Sequence, residues 1–286
     1  MRYQITHRLT YSYDRPVLLA PHTFCLRPRS DVTQTLQQFS LEITPEPGRI
    51  SENLDLDGNA VLKSWFADAE VTELKIKATS VVETHRPNPF DYLLEPWATQ
   101  LPIDYPTSLL QQLQPYLGGQ YFGAAGIDPA VIQLAQTIWD EAGGSTTSFL
   151  SLLNQRIYET CQYSIRETGS ALPAGLTWAK KAGSCRDYAV LLMEGCRAMG
   201  LAARFVSGYQ EGDLNSTDRQ LHAWAEVYLP GAGWRGYDPT HGLVVADRHI
   251  ALVAMPSHRN TAPVSGSLRQ ANVQSQMKYH LTIQAA

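Results

Sequence analysis

Gly183-Ser184-Cys185-Arg186-Asp187-Tyr188-Ala189-Val190-Leu191-Leu192-Met193-Glu194-Gly195-Cys196 is the stretch on which the reading of this chain turns. Tyr188, Leu191, Leu192, Gly195, Cys196 and Met199 recur at three- and four-residue steps, the period of a helix with one packed face. Gly200 stands where such a helix stops. Cys185 therefore falls in the first turn, behind a tight Gly183-Ser184 entry. A helix N-terminus offers unpaired N–H groups and about half a positive charge, which stabilise a thiolate and lower its pKa. The same N–H groups can hold the oxyanion formed when the thiolate attacks a carbonyl. Cys25, Cys161 and Cys196 have no such setting and read as buried core thiols.

Downstream, His222, Trp224, Glu226 and Tyr228 share one face of a predicted strand, and Ala223, Ala225, Val227 and Leu229 share the other. This strand starts directly after a polar loop over 210–220, which sets His222 on a rim facing a cleft. A second short aromatic strand, Trp234 to Tyr237, runs into Asp238, and Pro239 ends its ladder. Pro230-Gly231-Ala232-Gly233 joins the two strands as a hairpin, which can bring Asp238 within hydrogen-bonding reach of His222. Thiol, imidazole and carboxylate together make a Cys-His-Asp nucleophilic machine. The thiolate attacks a carbonyl, the imidazole carries the proton and the carboxylate orients the imidazole. For the second oxyanion donor, beside the Cys185 N–H, the candidates are Trp178, with its indole N–H, and Tyr163.

These segments resemble the transglutaminase-like superfamily of papain-like cysteine enzymes, in its bacterial branch. The family pattern is Gly-x-Cys at a helix start, a strand ending Val-Ser-Gly-Tyr, a His-Ala-Trp-x-Glu strand and an Asp-Pro-Thr. This chain has Gly183-Ser184-Cys185, Val206-Ser207-Gly208-Tyr209, His222-Ala223-Trp224-Ala225-Glu226 and Asp238-Pro239-Thr240, in that order. The resemblance covers residues 150–245 closely and implies Cys185 as nucleophile, His222 as base and Asp238 as its orienting partner. It implies acyl transfer from the amide bonds of a peptide or protein substrate through a thioester, with no cofactor and no resident metal. Bacterial relatives point to hydrolysis, as a peptidase or amidase. Amine transfer (crosslinking) is the alternative outcome of the same triad, and a non-catalytic binding or scaffold module is the alternative outside enzymology. A third option is a metalloprotein using Cys185, His222 and His241. His241 follows Asp-Pro-Thr where relatives more often carry Asn, and it adds a second imidazole near the site.

The rest of the chain sets the frame. Its 286 residues, 44% hydrophobic and 17% charged, suit an ordinary globular protein of one large domain or two. A net charge of −4 and the lack of a basic cluster interleaved with aromatics speak against nucleic-acid binding. No run of apolar residues is long enough for a membrane helix, and Met1 to His7 lacks a signal-peptide core. Four cysteines without a CxxC pair fit a cytoplasmic, reducing setting.

The expected fold class is α+β, with an N-terminal antiparallel β-sandwich ahead of a papain-like core of helices on an antiparallel sheet. Tyr3, Ile5, His7, Leu9, Tyr11 and Tyr13 alternate as a half-buried strand, and Asp57-Gly58 marks a hairpin, so residues 1–85 form the sandwich. Five prolines, Pro87, Pro89, Pro96, Pro102 and Pro106, make 86–107 an extended linker, packed along the interface by Phe90, Tyr92 and Trp97. Residues 108–286 form the catalytic unit. In it Asp128-Pro129 and Ser145-Thr146 start two helices, 257–275 is a long loop, and Met277, Tyr279, Leu281 and Ile283 form a closing strand.

Overall fold

A computed structural model describes residues 1–118, 126–166, 169–212 and 221–285; the polar loop expected over 210–220 lies, from 213 onward, outside the described residues. Six strands come first: β1 (Arg2–Val17), β2 (Leu19–Phe24), β3 (Gln34–Thr44), β4 (Arg49–Leu54), β5 (Ala60–Trp65) and β6 (Val71–Thr84). Helices α1 (Thr107–Leu113), α2 (Pro129–Glu141) and α3 (Thr146–Thr160) follow. Then come the two-residue strand β7 (Gln162–Tyr163), α4 (Ala174–Lys180), its parallel partner β8 (Ala182–Gly183) and α5 (Cys185–Ala198). The chain ends in β9 (Ala203–Gln210), β10 (Leu221–Leu229), β11 (Gly233–Asp238), β12 (Leu243–Val244), β13 (His249–Met255), β14 (Val264–Leu268) and β15 (Ser275–Ala285). The fold is thus the expected α+β arrangement.

The odd-numbered residues of β1 alternate inward as their pattern requires, with Tyr3, Ile5 and Leu9 buried. Two four-stranded antiparallel sheets, ordered β15-β1-β6-β3 and β14-β2-β5-β4, share one core in which Leu9, Leu74 and Ile76 of the first meet Leu19, Phe24 and Leu62 of the second. A five-stranded sheet, ordered β12-β11-β10-β9-β13, carries α5 against β9 and β10, with α2, α3 and α4 around that helix. Ala223, Ala225, Val227 and Leu229 face the helical core with Leu191, Leu192 and Phe149. The Asp128 carboxylate accepts from the Ala130 N–H and Ser145 Oγ from the Ser148 N–H, so both predicted caps start their helices.

The last strands depart from expectation. β15 does not join the five-stranded sheet of the second unit; it pairs antiparallel with β1 from Tyr3↔Ala285 to Tyr13↔Ser275. Within the stretch read as loop, β14 pairs with β2. Residues 264–285 therefore complete the sandwich, because β1 and β2 each offer a free edge to a strand of matching alternation. The linker aromatics also differ. Phe90 is 58% exposed and Trp97 41%, and the inward anchors are Ala98, Leu101, Ile103 and Tyr105, with Tyr92 packed beside them. In an irregular segment no period says which side chain points inward.

The two sheet systems are fused. Tyr3, Ile5, Val82, Leu281 and Ile283 of the sandwich pack with Tyr209, Ile250, Leu252 and Val253 of β9 and β13. Leu281→Ala is expected to cost about 2–5 kcal/mol of folding stability, read from the urea midpoint, because it opens a cavity in this junction. Lys278→Ala, on the exposed face of the same strand, should stay within about 0.5 kcal/mol of the parent.

Candidate active site

Ser184 is the N-cap of α5 and Cys185 its first helical residue, as the helical period predicts. The entry is fastened by Asp187, which is wholly buried. Its Oδ2 accepts from the Ser184 N–H and from Ser184 Oγ, both at 2.8 Å. Its Oδ1 accepts from the Leu172 N–H at 2.7 Å and from the Arg166 guanidinium at 2.6 Å. A carboxylate three residues after the cap reaching back to the cap N–H is half of a capping box, legible in the Ser184-to-Asp187 spacing. Gly183 leaves room for it: a Cβ there would stand 2.8 Å from Asp187 Cβ.

The hairpin register sets Ala225 opposite Tyr237, so one step on Asp238 lies beside Trp224, diagonal to His222 on the same face. His222 donates through Nε2 to Asp238 Oδ2 at 2.8 Å. That leaves Nδ1 for Cys185, with which His222 also hydrogen-bonds. Cys185, His222 and Asp238, singled out from sequence order alone, thus meet in one chain of contacts and are nearly withdrawn from solvent.

The structure adds a residue that the sequence reading missed. His249, at the start of β13, donates through Nε2 to the same Asp238 Oδ2 at 3.1 Å. The Thr240 N–H supplies Oδ1 at 3.0 Å. His249 stands edge-on to Trp224, ring centroids 5.2 Å apart, and its Nδ1 is buried with no partner among the described residues. No local signal marks it, since it opens an apolar run and reaches Asp238 only because β13 pairs with β9. Gly208 permits that approach. A Cβ there would stand 2.2 Å from Ile250 O and 2.6 Å from the Trp224 ring, which explains the glycine of Val-Ser-Gly-Tyr. Glu226 of β10 ion-pairs with Arg204 of β9 at 2.7 Å.

His241 lies beside His222, centroids 5.3 Å apart, but holds no hydrogen bond to Asp238. His222, Asp238 and His241 offer three ligand atoms within 4.8 Å of one another, the one grouping among the described residues that could hold a metal ion. Two of its members, His222 and Asp238, are already hydrogen-bonded to each other at 2.8 Å. Of the two proposed oxyanion donors, Tyr163 lines the cleft and hydrogen-bonds the thiol. Trp178 is not in the cleft; it packs against the helical core with the Lys181 ammonium over its ring. Its place seven residues upstream puts it on α4, whose packed face turns it away from the thiol.

Electrostatics separates the four thiols. Burial raises Cys25 to about 11 and pushes Cys161 and Cys196 up as well. Burial also works against the Cys185 thiolate, but the hydrogen bond and charge of His222, with help from Arg186, bring this thiol below its ordinary value. His222 is held above the usual imidazole range, because the Asp238 charge and hydrogen bond, with those of Cys185, outweigh the cost of burial. Asp238 is correspondingly held far below the carboxylate range against its own burial. The cleft in front of the thiol has a volume of about 560 Å³. Its lining includes Tyr163, Arg166 and Ala171, together with Leu9, Tyr11 and Met277 of β1 and β15.

With this geometry in view, the comparisons are consistent along the chain. Residues 3–83 match the bacterial transglutaminase-like N-terminal region, and residues 132–239 match the transglutaminase-like superfamily. An uncharacterized protein of Mycobacterium tuberculosis is 29% identical over 93% of this chain and 87% of its own length. A protein-glutamine gamma-glutamyltransferase of Pseudomonas aeruginosa is 33% identical over 100 residues, 32% of this chain and 15% of that protein. The crystal structure of a candidate cysteine protease from Cytophaga hutchinsonii covers 100% of this chain and 91% of its own at a TM-score of 0.72 and 23% identity, a likeness of fold.

Alkylation follows the thiolate, which grows as pH rises through the thiol pKa, so a lowered pKa moves the profile to lower pH. Iodoacetamide is expected to label Cys185 ahead of Cys25, Cys161 and Cys196, with a midpoint below that of an ordinary thiol. His222→Ala should move that midpoint upward, whereas His241→Asn should leave it nearly in place. Labelling spread evenly over the four cysteines would contradict the assignment. His249→Leu removes one donor from a buried carboxylate and should cost about 1–3 kcal/mol of stability in urea unfolding.

Proposed function

Because the chain belongs to the transglutaminase-like superfamily and carries its bacterial N-terminal region, we propose that it is a cysteine-dependent acyl-transfer enzyme that hydrolyses amide bonds, a peptidase or amidase. The observation that carries this reading is the Cys185 thiol, alone of four in having a lowered pKa, bonded to an imidazole that a buried carboxylate orients.

The thiolate attacks the amide carbon, and the carbonyl electron pair moves onto oxygen beside the free N–H of Cys185. Tyr163, already bonded to the thiol, is the nearer of the two side-chain candidates for a second donor. Collapse expels the amine, which takes the proton from the His222 imidazolium and leaves a thioester on Sγ. Water attacks the thioester while His222 removes its proton. The second collapse releases the acid and restores the thiolate–imidazolium pair. Asp238 keeps the His222 Nε2–H pointed away from the thiol throughout, so the working nitrogen faces the reacting atoms. A reducing setting such as the cytoplasm, which keeps Cys185 a thiol, is part of the proposal.

Charge in the cleft supports water over lysine as the acceptor. Arg166, Arg186 and Arg259 line it, and no Asp or Glu does among the described lining residues, so a lysine ammonium meets repulsion. Amine transfer is kept as a second reading because the Pseudomonas protein-glutamine gamma-glutamyltransferase aligns over 100 residues.

Incubation with a peptide library in ¹⁸O-water, read by mass spectrometry, tests the proposal. New C-terminal carboxylates carrying ¹⁸O are expected, absent with Cys185→Ala and reduced by about 10³–10⁴ with His222→Ala. Incorporation of a fluorescent primary amine into glutamine peptides would assign transfer instead. A folded protein that forms no thioester with any peptide would mark a binding module.

A further inference from the structure

The three guanidinium groups of the cleft are not equivalent. Arg166 is spent on the buried Asp187 at 2.6 Å. Arg186 donates to the carbonyls of Gly169 and Arg166, which pins the segment before α4 over the helix entry. Arg259 has no side-chain partner among the described residues and is exposed at the cleft. It sits on the single helical turn His258–Asn260, in the connection that carries the chain from β13 in the catalytic sheet to β14 in the sandwich. The two acids nearest the thiol, Asp187 and Asp238, lie beneath the cleft floor and are fully committed to partners. His7 and His258 are pushed below the imidazole range, chiefly by burial, and the positive charge of His222 is matched by Asp238 and the thiolate, which leaves the arginines as the remaining cations of the cleft.

The same cavity has apolar lining. Leu9, Tyr11 and Met277 stand on adjacent strands, Tyr11 directly opposite Met277 in register, with Pro263 and Val264 beside them. A cavity with one uncommitted guanidinium, an apolar wall and no acidic lining among the described residues complements a ligand with an apolar body and a single negative end. The planar guanidinium fork matches a carboxylate through two parallel hydrogen bonds.

We infer that the cleft selects acyl substrates bearing a carboxylate near the scissile amide, with Arg259 receiving that carboxylate and the β1–β15 wall receiving the apolar part. This rests on the acyl-transfer reading of Cys185. The carboxylate has two possible sources, an acidic side chain next to the scissile bond or the free α-carboxylate of a short leaving peptide.

The first test needs no substrate. Iodoacetate and iodoacetamide differ by one negative charge, and their relative rates at Cys185 report the field of the cleft. Arg259→Ala is expected to lower the iodoacetate-to-iodoacetamide ratio by about fivefold at low ionic strength, with the difference shrinking in high salt. Arg259→Lys should keep most of the ratio, and its folding controls for loss of the side chain. If neither reagent labels Cys185, the acyl-transfer reading fails. If both label it and the ratio ignores Arg259, only the present inference fails.

The second test uses matched peptides that protect Cys185 from iodoacetamide. Glu is compared with Gln beside the scissile bond, and a free C-terminus with its amide. Stronger protection by the Glu member identifies an acidic side chain as the source, and stronger protection by the free acid identifies the α-carboxylate. Equal protection by charged and neutral members overturns the inference.

Discussion

The carboxylate of Asp238 has no solvent contact, and its charge is met by the His222 ring, the His249 ring and the backbone N–H of Thr240. Moving a carboxylate out of water costs several kcal/mol unless charge-assisted hydrogen bonds replace its hydration. Those donors come from β10, from β13 and from the turn after β11. The five-stranded sheet must therefore be assembled in register before the charge is tolerable, and once assembled it holds His222 in one orientation. The electrostatics of the thiol depends on that arrangement, because the lowered pKa of Cys185 comes from His222 and the raised pKa of His222 comes first from Asp238.

A second buried carboxylate does the corresponding work on the helix side. Asp187 gathers the N-cap, the backbone of Leu172 and Arg166 into one knot, so the N-terminus of α5 and the segment bordering the cleft share an anchor. Both carboxylates need close backbone approach, and in both places the sequence supplies glycine. Gly183 lies against Asp187, and Gly208 lies under Trp224 and β13. The motif glycines are thus packing requirements of the charge network, with no unusual backbone angle involved.

The sandwich is more than an appendage. Through Tyr3, Ile5, Leu281 and Ile283 it shares a core with β9 and β13, and through Leu9, Tyr11 and Met277 it lines the same cleft as the thiol. Its last strands arrive after the five-stranded sheet is complete in sequence, so the chain leaves the sandwich, builds the candidate site and returns to complete the sandwich. The connection that returns carries Arg259 to the cleft.

Much of this was legible in the sequence wherever the physics is local. A helical period from Tyr188 to Met199, a tight Gly183-Ser184 entry, alternation along β1 and β10, and a Gly-containing hairpin before Trp234 each depend on residues a few positions apart. They therefore put Cys185 at a helix start and His222 near Asp238 with no tertiary information. The remainder depends on contacts between distant segments. Nothing near His249 marks it as a partner of Asp238, because that bond exists only through the pairing of β13 with β9. The alternation of 277–283 shows a strand but does not say which sheet has a free edge for it, and β1 had one. Trp178 and Tyr163 looked equivalent as polar aromatics upstream of the thiol, until the packing of α4 turned one into the core and left the other at Cys185. Short-range periodicity determines what each segment becomes; long-range burial decides which segments meet, and so which side chains surround the thiol.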